Sequence, residues 1–329
     1  MNRNVVILLI LFLVVLPGAA VVARSAGSTG AGIGALFSPG PDRDLVIAAR
    51  LPRVAGAAIV GAALSAAGAA LQAILNNPLA EPFVLGVSGG AALGGTFAIL
   101  AGLSLAGGAP WIVVFAFAGA ALTTLLLSLA NRVRGRTPVV TILLTGVVFN
   151  AFAAAIITFA RFLVPVQRTQ QLTFWLSGMI GYEEWRTLAI VGAVALAAVL
   201  ALVSLAHRMN VLSLGDEVAG SLGVSPSSTR SAVFLWSSLA TGAAVAISGL
   251  VGFVGLIVPQ ALRLLASPDN RFLVPASAAA GAAFVILSDA LCRWLIGVVG
   301  SEPPLGAITA VVGGPAFIVL LRRYLRNVE

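Results

Sequence analysis

No lysine occurs in this chain; all nineteen basic residues are arginine. Charge of either sign is scarce, at 9% of 329 residues against a hydrophobic share of 60%. A soluble domain carries roughly 25% charged residues, so composition excludes a water-soluble globule and indicates a polytopic membrane protein. The single cysteine, Cys292, excludes an internal disulfide and a cysteine-built metal site, and the single histidine, His207, excludes a histidine cluster. Without lysine there is no G-x-x-x-x-G-K-[ST] phosphate loop, so the chain cannot bind and hydrolyse nucleotide in that manner by itself. No H-E-x-x-H and no paired-carboxylate arrangement occurs either, so no catalytic residue, cofactor or metal site is assigned. The net charge of +8 would point to nucleic acid in a soluble protein; here it is read as positive-inside arginines plus a few with dedicated roles, and no nucleic-acid partner is expected.

What the chain has in abundance is apolar length. The run from Val5 to Ala23 exceeds the roughly 7–15 residues of a signal-peptide core and approaches the roughly 20 needed to span a bilayer, so a retained first helix is expected, with cleavage as the alternative. Further runs over 54–75, 86–106, 110–130, 138–164, 187–206, 229–247, 249–267, 273–296 and 305–321 bring the expected count to ten transmembrane helices in one all-α domain, 1–329. Only Ser248-Gly249 separates the seventh and eighth. An even count puts both termini on one side, and arginine clusters at 132–136 and 322–326 predict that this side is cytoplasmic. Eight arginines, including Arg50, Arg53, Arg161, Arg168 and Arg293, then fall outside and need a reason.

The stretch from Arg50 to Ala91 organises the rest. Arg50 and Arg53 lie three residues apart and share a helix face. Ala57, Gly61, Ser65 and Ala69 recur every four residues, a spacing that admits either close helix packing or a transport-path lining. Gln72, Asn76, Asn77 and Pro78 end that helix with polar side chains, Glu81 follows, and Gly86, Ser88 and Gly89 open the next run; these eight are the candidate pathway and gating residues. Later, Leu214, Val218 and Leu222 repeat at four-residue spacing while Asp216, Glu217 and Ser221 face elsewhere, the pattern of a short amphipathic helix within about 212–226, with Gly223 and Pro226 as its stop. Trp175, Tyr182 and Trp185 fit an aromatic belt with a re-entrant external helix, and Asn150 faces either a neighbouring helix or the pathway.

R-L-P-R, a small-residue helix, then Q-x-x-x-x-N-P-L-A-E-P and G-V-S-x-G-A resemble the FecCD/BtuC-type permease family of bacterial ABC importers for iron-siderophores, haem and cobalamin. Phe174–Gly178, Leu214–Val224, Gly252–Pro259, Asp289–Arg293, Glu302–Thr309 and Gly314–Phe317 extend the resemblance over essentially the whole chain. Gln260, where the family usually has His, and Gly220, where it often has Arg, depart from the pattern. The resemblance implies a type II ABC importer permease bundle in the bacterial inner membrane, paired with a second copy or a close paralogue. Its partners would be two cytoplasmic ATPase subunits, where any ATP is used, and an extracytoplasmic binding protein. It implies that Arg50, Arg53 and Arg293 dock that binding protein, and that Leu214, Gly215, Asp216, Glu217, Ala219, Ser221, Leu222 and Gly223 couple to the ATPase. The expected cargo is an iron chelate, a ferric siderophore foremost, with haem or cobalamin as the alternative. From a different class, an ion-coupled secondary transporter would need intramembrane acids, and only Glu81 and Asp289 approach that.

Overall fold

The structure, a computed structural model, describes residues 7, 8, 10–25, 50–103, 111–130 and 139–326. Among these residues there is no strand, and twelve α-helices succeed one another. A π-helical stretch, Leu11–Val15, leads into α1 (Leu16–Ser25). Then come α2 (Leu51–Leu75), α3 (Val87–Leu100), α4 (Trp111–Ala130), α5 (Val139–Arg161), α6 (Val166–Leu176), α7 (Trp185–Leu212), α8 (Asp216–Ser221), α9 (Pro226–Ser248), α10 (Val254–Leu265), α11 (Asn270–Val299) and α12 (Leu305–Arg326). Among the described residues every expected apolar span overlaps a helix, the first as the π-helical stretch continued by α1, and the two additional helices, α6 and α8, are the short ones anticipated between spans. Ser248-Gly249 does divide α9 from α10, through a non-helical segment in which Gly249 adopts φ +65°. By length and composition α2, α7, α9, α11 and residues 143–161 of α5 are long enough to cross a membrane; the other apolar helices are shorter. The arginine cluster at 132–136 lies outside the described residues.

Helix α2 is the axis. Pro52 sits at its first turn, where a missing N–H costs nothing, and Asn76 closes it in the left-handed conformation. Between them it is almost entirely buried, packed by α11, α9, α7 and α10. A Cβ at Gly61 would overlap the Gly281 carbonyl of α11, and one at Gly68 would overlap the Gly255 carbonyl of α10. The four-residue spacing of small side chains is therefore a packing device: backbones meet where no side chain intervenes, the contact that lipid-embedded helices need when no hydrophobic driving force separates helix from lipid. Elsewhere α3 pairs with α4, α5 leans on α3, and α12 rests on α10 and α11. Large apolar side chains on α5 and α7, among them Val148, Phe152, Phe159, Ile190 and Leu200, are exposed, as an outer surface bathed in lipid tails requires.

Helix α11 sets the scale of the molecule. Nineteen residues separate Asn270 from Asp289, which at about 1.5 Å per residue is about 28 Å. Asn270 bonds Asn210 at the end of α7, next to α8, whereas Asp289 bonds Arg53 at the start of α2. The Arg53–Asp289 pair and α8 therefore lie at opposite ends of the bundle, apart by about the thickness of a bilayer core.

Candidate functional site

At the arginine end, four segments converge on one guanidinium. Arg53 donates Nε and Nη2 to Asp289 Oδ1 at 2.9 and 2.8 Å, and its terminal nitrogens also reach the Glu302 carboxylate on the connector between α11 and α12. Tyr182, from the connector between α6 and α7, places its ring 5.9 Å from Arg53 Cζ, a cation–π approach. Asp289 is shared: its Oδ2 lies 3.1 Å from Arg293 Nε, the local i,i+4 pair that the sequence suggests. The structure thus brings Arg53 and Arg293 together, but not as displayed cations. Arg50, Arg53 and Arg293 are all buried, and the two acids hold Arg53 in place. An isolated buried charge is expensive, and a carboxylate wedged between two arginines offsets that cost with directional bonds.

Toward the other end of α2, two helix breaks face each other. The Gln72 amide donates to Gly255 O at 3.1 Å and lies 3.3 and 3.4 Å from Leu256 O and Ala80 O. Glu81 accepts the Phe253 N–H at 2.5 Å, capping the first turn of α10. Phe253 itself sits at φ +70°, a strained conformation for a bulky residue, held by this bond and by Gly313 packed on its Cβ. Asn76 forms the left-handed end of α2, and Asn77 Oδ1 accepts the Leu79 N–H across Pro78. Asn150, from α5, faces a neighbour: its amide donates to Phe83 O at 2.7 Å and accepts the Gly89 N–H at 3.1 Å. Gly86, at φ +85°, lies against Gly146 of α5. Gly86-Val87-Ser88-Gly89-Gly90 spells the G-x-S-x-G string of a hydrolase elbow, yet it opens a helix after a 3-10 turn, and Ser88 Oγ donates to Phe83 O. All eight gating candidates therefore lie at one junction of α2, α3, α5 and α10, whose polar side chains bond mostly to backbone.

At the α8 end the short helix is pinned at one point and displayed elsewhere. Arg230, in the first turns of α9, donates Nη1 and Nη2 to the two Asp216 oxygens at 2.8 and 2.6 Å. Those hydrogen bonds hold the Asp216 carboxyl below its ordinary range. Gly215 and Gly223, at φ +105° and +77°, supply the turns into and out of the helix. Ala219 is buried against Val211 and Leu212, whereas Leu214, Val218 and Leu222 are exposed at 62%, 44% and 60%. The apolar stripe points away from the bundle, which a helix that only caps the bundle would not do. Glu217, Gly220 and Ser221 are also exposed, and a side chain at Gly220 would meet nothing within 4 Å, so this departure from the family pattern alters no contact within the chain. Alongside, Asn210 bonds Asp269 and Asn270, and Arg271 meets His207 Nδ1 at 2.7 Å.

Three features escape a reading of the sequence. Trp175 is no belt residue: Gly95 of α3 packs on its ring, and its carbonyl lies against Gly249. Arg168, one of the eight arginines in need of a reason, donates to Leu100 O and so caps the C-terminal end of α3. Helix α6 presents Gln167, Gln170 and Thr173 on one exposed face together with Val166 and Phe174, while Leu172 is buried, so that face is mixed polar and apolar. The three-residue recurrence of Gln167, Gln170 and Thr173 is the signal that was available.

The model of the FecCD transport family matches residues 5–323. The cobalamin import system permease protein BtuC of Halobacterium salinarum is 38% identical over 278 residues, covering 83% of this chain and 72% of that protein. The hemin transport system permease protein HmuU of Yersinia pestis is 35% identical over 280 residues, covering 83% and 82%. Among solved structures, an inward-facing conformation of a transporter described as a metal-chelate type ABC transporter superimposes with a TM-score of 0.82 at 30% identity, over 97% of this chain and 99% of that one.

Proposed function

The chain belongs to the FecCD transport family, and from that premise we propose that it is the membrane-spanning subunit through which an ATP-driven importer passes a ferric siderophore delivered by an extracytoplasmic binding protein. At the coarser level it is a permease of the metal-chelate, haem or cobalamin type, a multi-pass membrane protein and a transport subunit rather than an enzyme. The observation that carries the mechanism is the outward-pointing stripe of Leu214, Val218 and Leu222 on a helix pinned by Asp216 and Arg230. Such a stripe suits a groove on a separate ATPase, and the salt bridge would pass the groove's movement directly to α9. We place α8 in the cytoplasm, Arg50, Arg53 and Arg293 outside as the docking point for acidic residues of the binding protein, and the pathway between two copies of the chain. In this reading nucleotide-driven motion enters at α8, and the junction around Gln72, Glu81 and Phe253 yields as access alternates.

Reconstitution tests the assignment. With the ATPase and binding protein present, proteoliposomes accumulate the ferric siderophore on ATP addition, and Leu222→Arg with Glu217→Arg abolishes ATPase association. Accumulation by the chain alone under an ion gradient overturns the proposal in favour of a secondary transporter. Cargo is read from the binding protein: nanomolar affinity for haem or cobalamin and none for ferric siderophores replaces the siderophore.

A further inference from the structure

Asp289 and Glu302 both hold Arg53, but they are not equivalent. Asp289 lies within α11, its side chain is 1% exposed, and its oxygens serve both Arg53 and Arg293. Glu302 sits on the non-helical connector after Gly300, at φ +79°, and its side chain is 23% exposed. Arg53 turns Nε and one edge of Nη2 to Asp289, leaving its terminal edge to Glu302. That terminal edge is the one at which a carboxylate arriving from solvent would bond, because a guanidinium offers its donors in a fixed planar fork.

We propose that Glu302 is an internal occupant of the Arg53 docking position, standing where a carboxylate of the binding protein goes, and that docking exchanges one carboxylate for the other while Asp289 stays. This rests on the docking role given to Arg53 above. The exchange explains how a docking arginine can be buried before its partner arrives: Glu302 holds it neutralised and oriented. It also makes docking a local event with a reach into the bundle. The connector that carries Glu302 runs into α12, whose first turn is tied by the Gly306 N–H to Gly178 O at 3.3 Å and packs directly on Leu250. Release of Glu302 frees that connector at the moment of capture.

The test uses the permease with its ATPase in nanodiscs, and as probe the solute-binding protein of the same organism that binds the wild type saturably. Arg53→Gln weakens binding, and Glu302→Gln, by removing the competitor, strengthens it by about two- to fivefold, the range of one part-exposed ion pair. The double variant binds as Arg53→Gln alone, because without the guanidinium there is nothing to compete for. A gain from Glu302→Gln that persists in the Arg53→Gln background is general electrostatics and overturns the proposal, as does no gain at all. If Arg53→Gln leaves binding unchanged, the docking reading itself fails; if it weakens binding but Glu302→Gln has no effect, only the exchange fails. A nitroxide on the exposed Ser301, with Glu302 intact, adds a readout that a purely structural ion pair would not move: its spectrum sharpens when the binding protein is added, and an unchanged spectrum counts against exchange.

Discussion

Single side chains carry sharply unequal weight in this molecule, and the hydrogen bond from Phe253 to Glu81 is the case to test first. Glu81→Ala strips the acceptor from a part-buried N–H held in a strained backbone, and a lost bond of this kind costs about 1–3 kcal/mol. The expected result is a clear drop in thermal midpoint in detergent, with Glu81→Gln, which keeps a carbonyl acceptor, much milder; equal losses for both would put the weight on charge instead. The Asp216–Arg230 pair is different in kind. With the Asp216 side chain 56% exposed it contributes little to stability, since exposed pairs are worth at most about 1 kcal/mol. Asp216→Arg should therefore leave the thermal midpoint nearly unchanged yet reduce substrate-stimulated ATP hydrolysis, and adding Arg230→Asp should restore part of it. Because Arg230 lowers the Asp216 value from 3.8, the pair is present above that pH and is lost only as pH falls through the still lower folded value. Coupling should accordingly be flat from about pH 5 to 8 as far as this pair is concerned. Charge reversal at Arg53 is a poor docking probe for the same reason that the residue is interesting: a glutamate there would meet Asp289 and Glu302, and misfolding would hide any effect on the partner.

At the level of elements, α2 and α11 make the decisive contact. Gly61→Ala places a methyl group into the Gly281 backbone, so the helices must separate, at a cost of about 1–3 kcal/mol typical of overpacking. Gly297→Ala in α11, where nothing lies within 4 Å, should be neutral or stabilising by up to about 1 kcal/mol. Thermal unfolding of the purified variants separates the two, and equal behaviour would remove the close-packing account of the small-residue stripe. The ten apolar spans, the short α8 and the break after Asn76 were legible in sequence because length, periodicity and terminating residues are local properties. The choice between packing and pathway for Gly61 and Ser65 was not legible, because small side chains suit both and only the partner helix decides. Trp175 misled for a related reason: an aromatic near a span end suits a lipid interface equally well, until a glycine from another helix is found beneath it.

For the whole molecule, the consequence that matters is separation. The two candidate partner surfaces meet α11 at Asn270 and at Asp289, about 28 Å apart by helix rise, so in the proposed reading they address opposite sides of one membrane. Cysteines placed at Tyr182 and at Ser221, both exposed, should therefore react with an impermeant maleimide from opposite sides, Tyr182→Cys in intact cells whose outer membrane is permeabilised and Ser221→Cys only in inverted vesicles. The native Cys292, 1% exposed, provides a quiet background. Labelling of both from one side would overturn the arrangement, and labelling in the reverse sense would invert the orientation.

Composition alone decided that this chain lives in a membrane, since 60% hydrophobic residues with 9% charged leave too little polar surface for water. The lengths of its apolar runs alone decided a helical bundle with ten expected spans and an amphipathic insert, because lipid leaves a backbone few ways to satisfy its own hydrogen bonds. Tertiary structure decided where the scarce charges went. That Arg53 is held by Asp289, 236 positions away, and by Glu302, 249 positions away, follows from α2 and α11 crossing at Gly61 and Gly281. Burial made those pairings necessary, because in a dry interior an arginine must find its carboxylate wherever the packing places one.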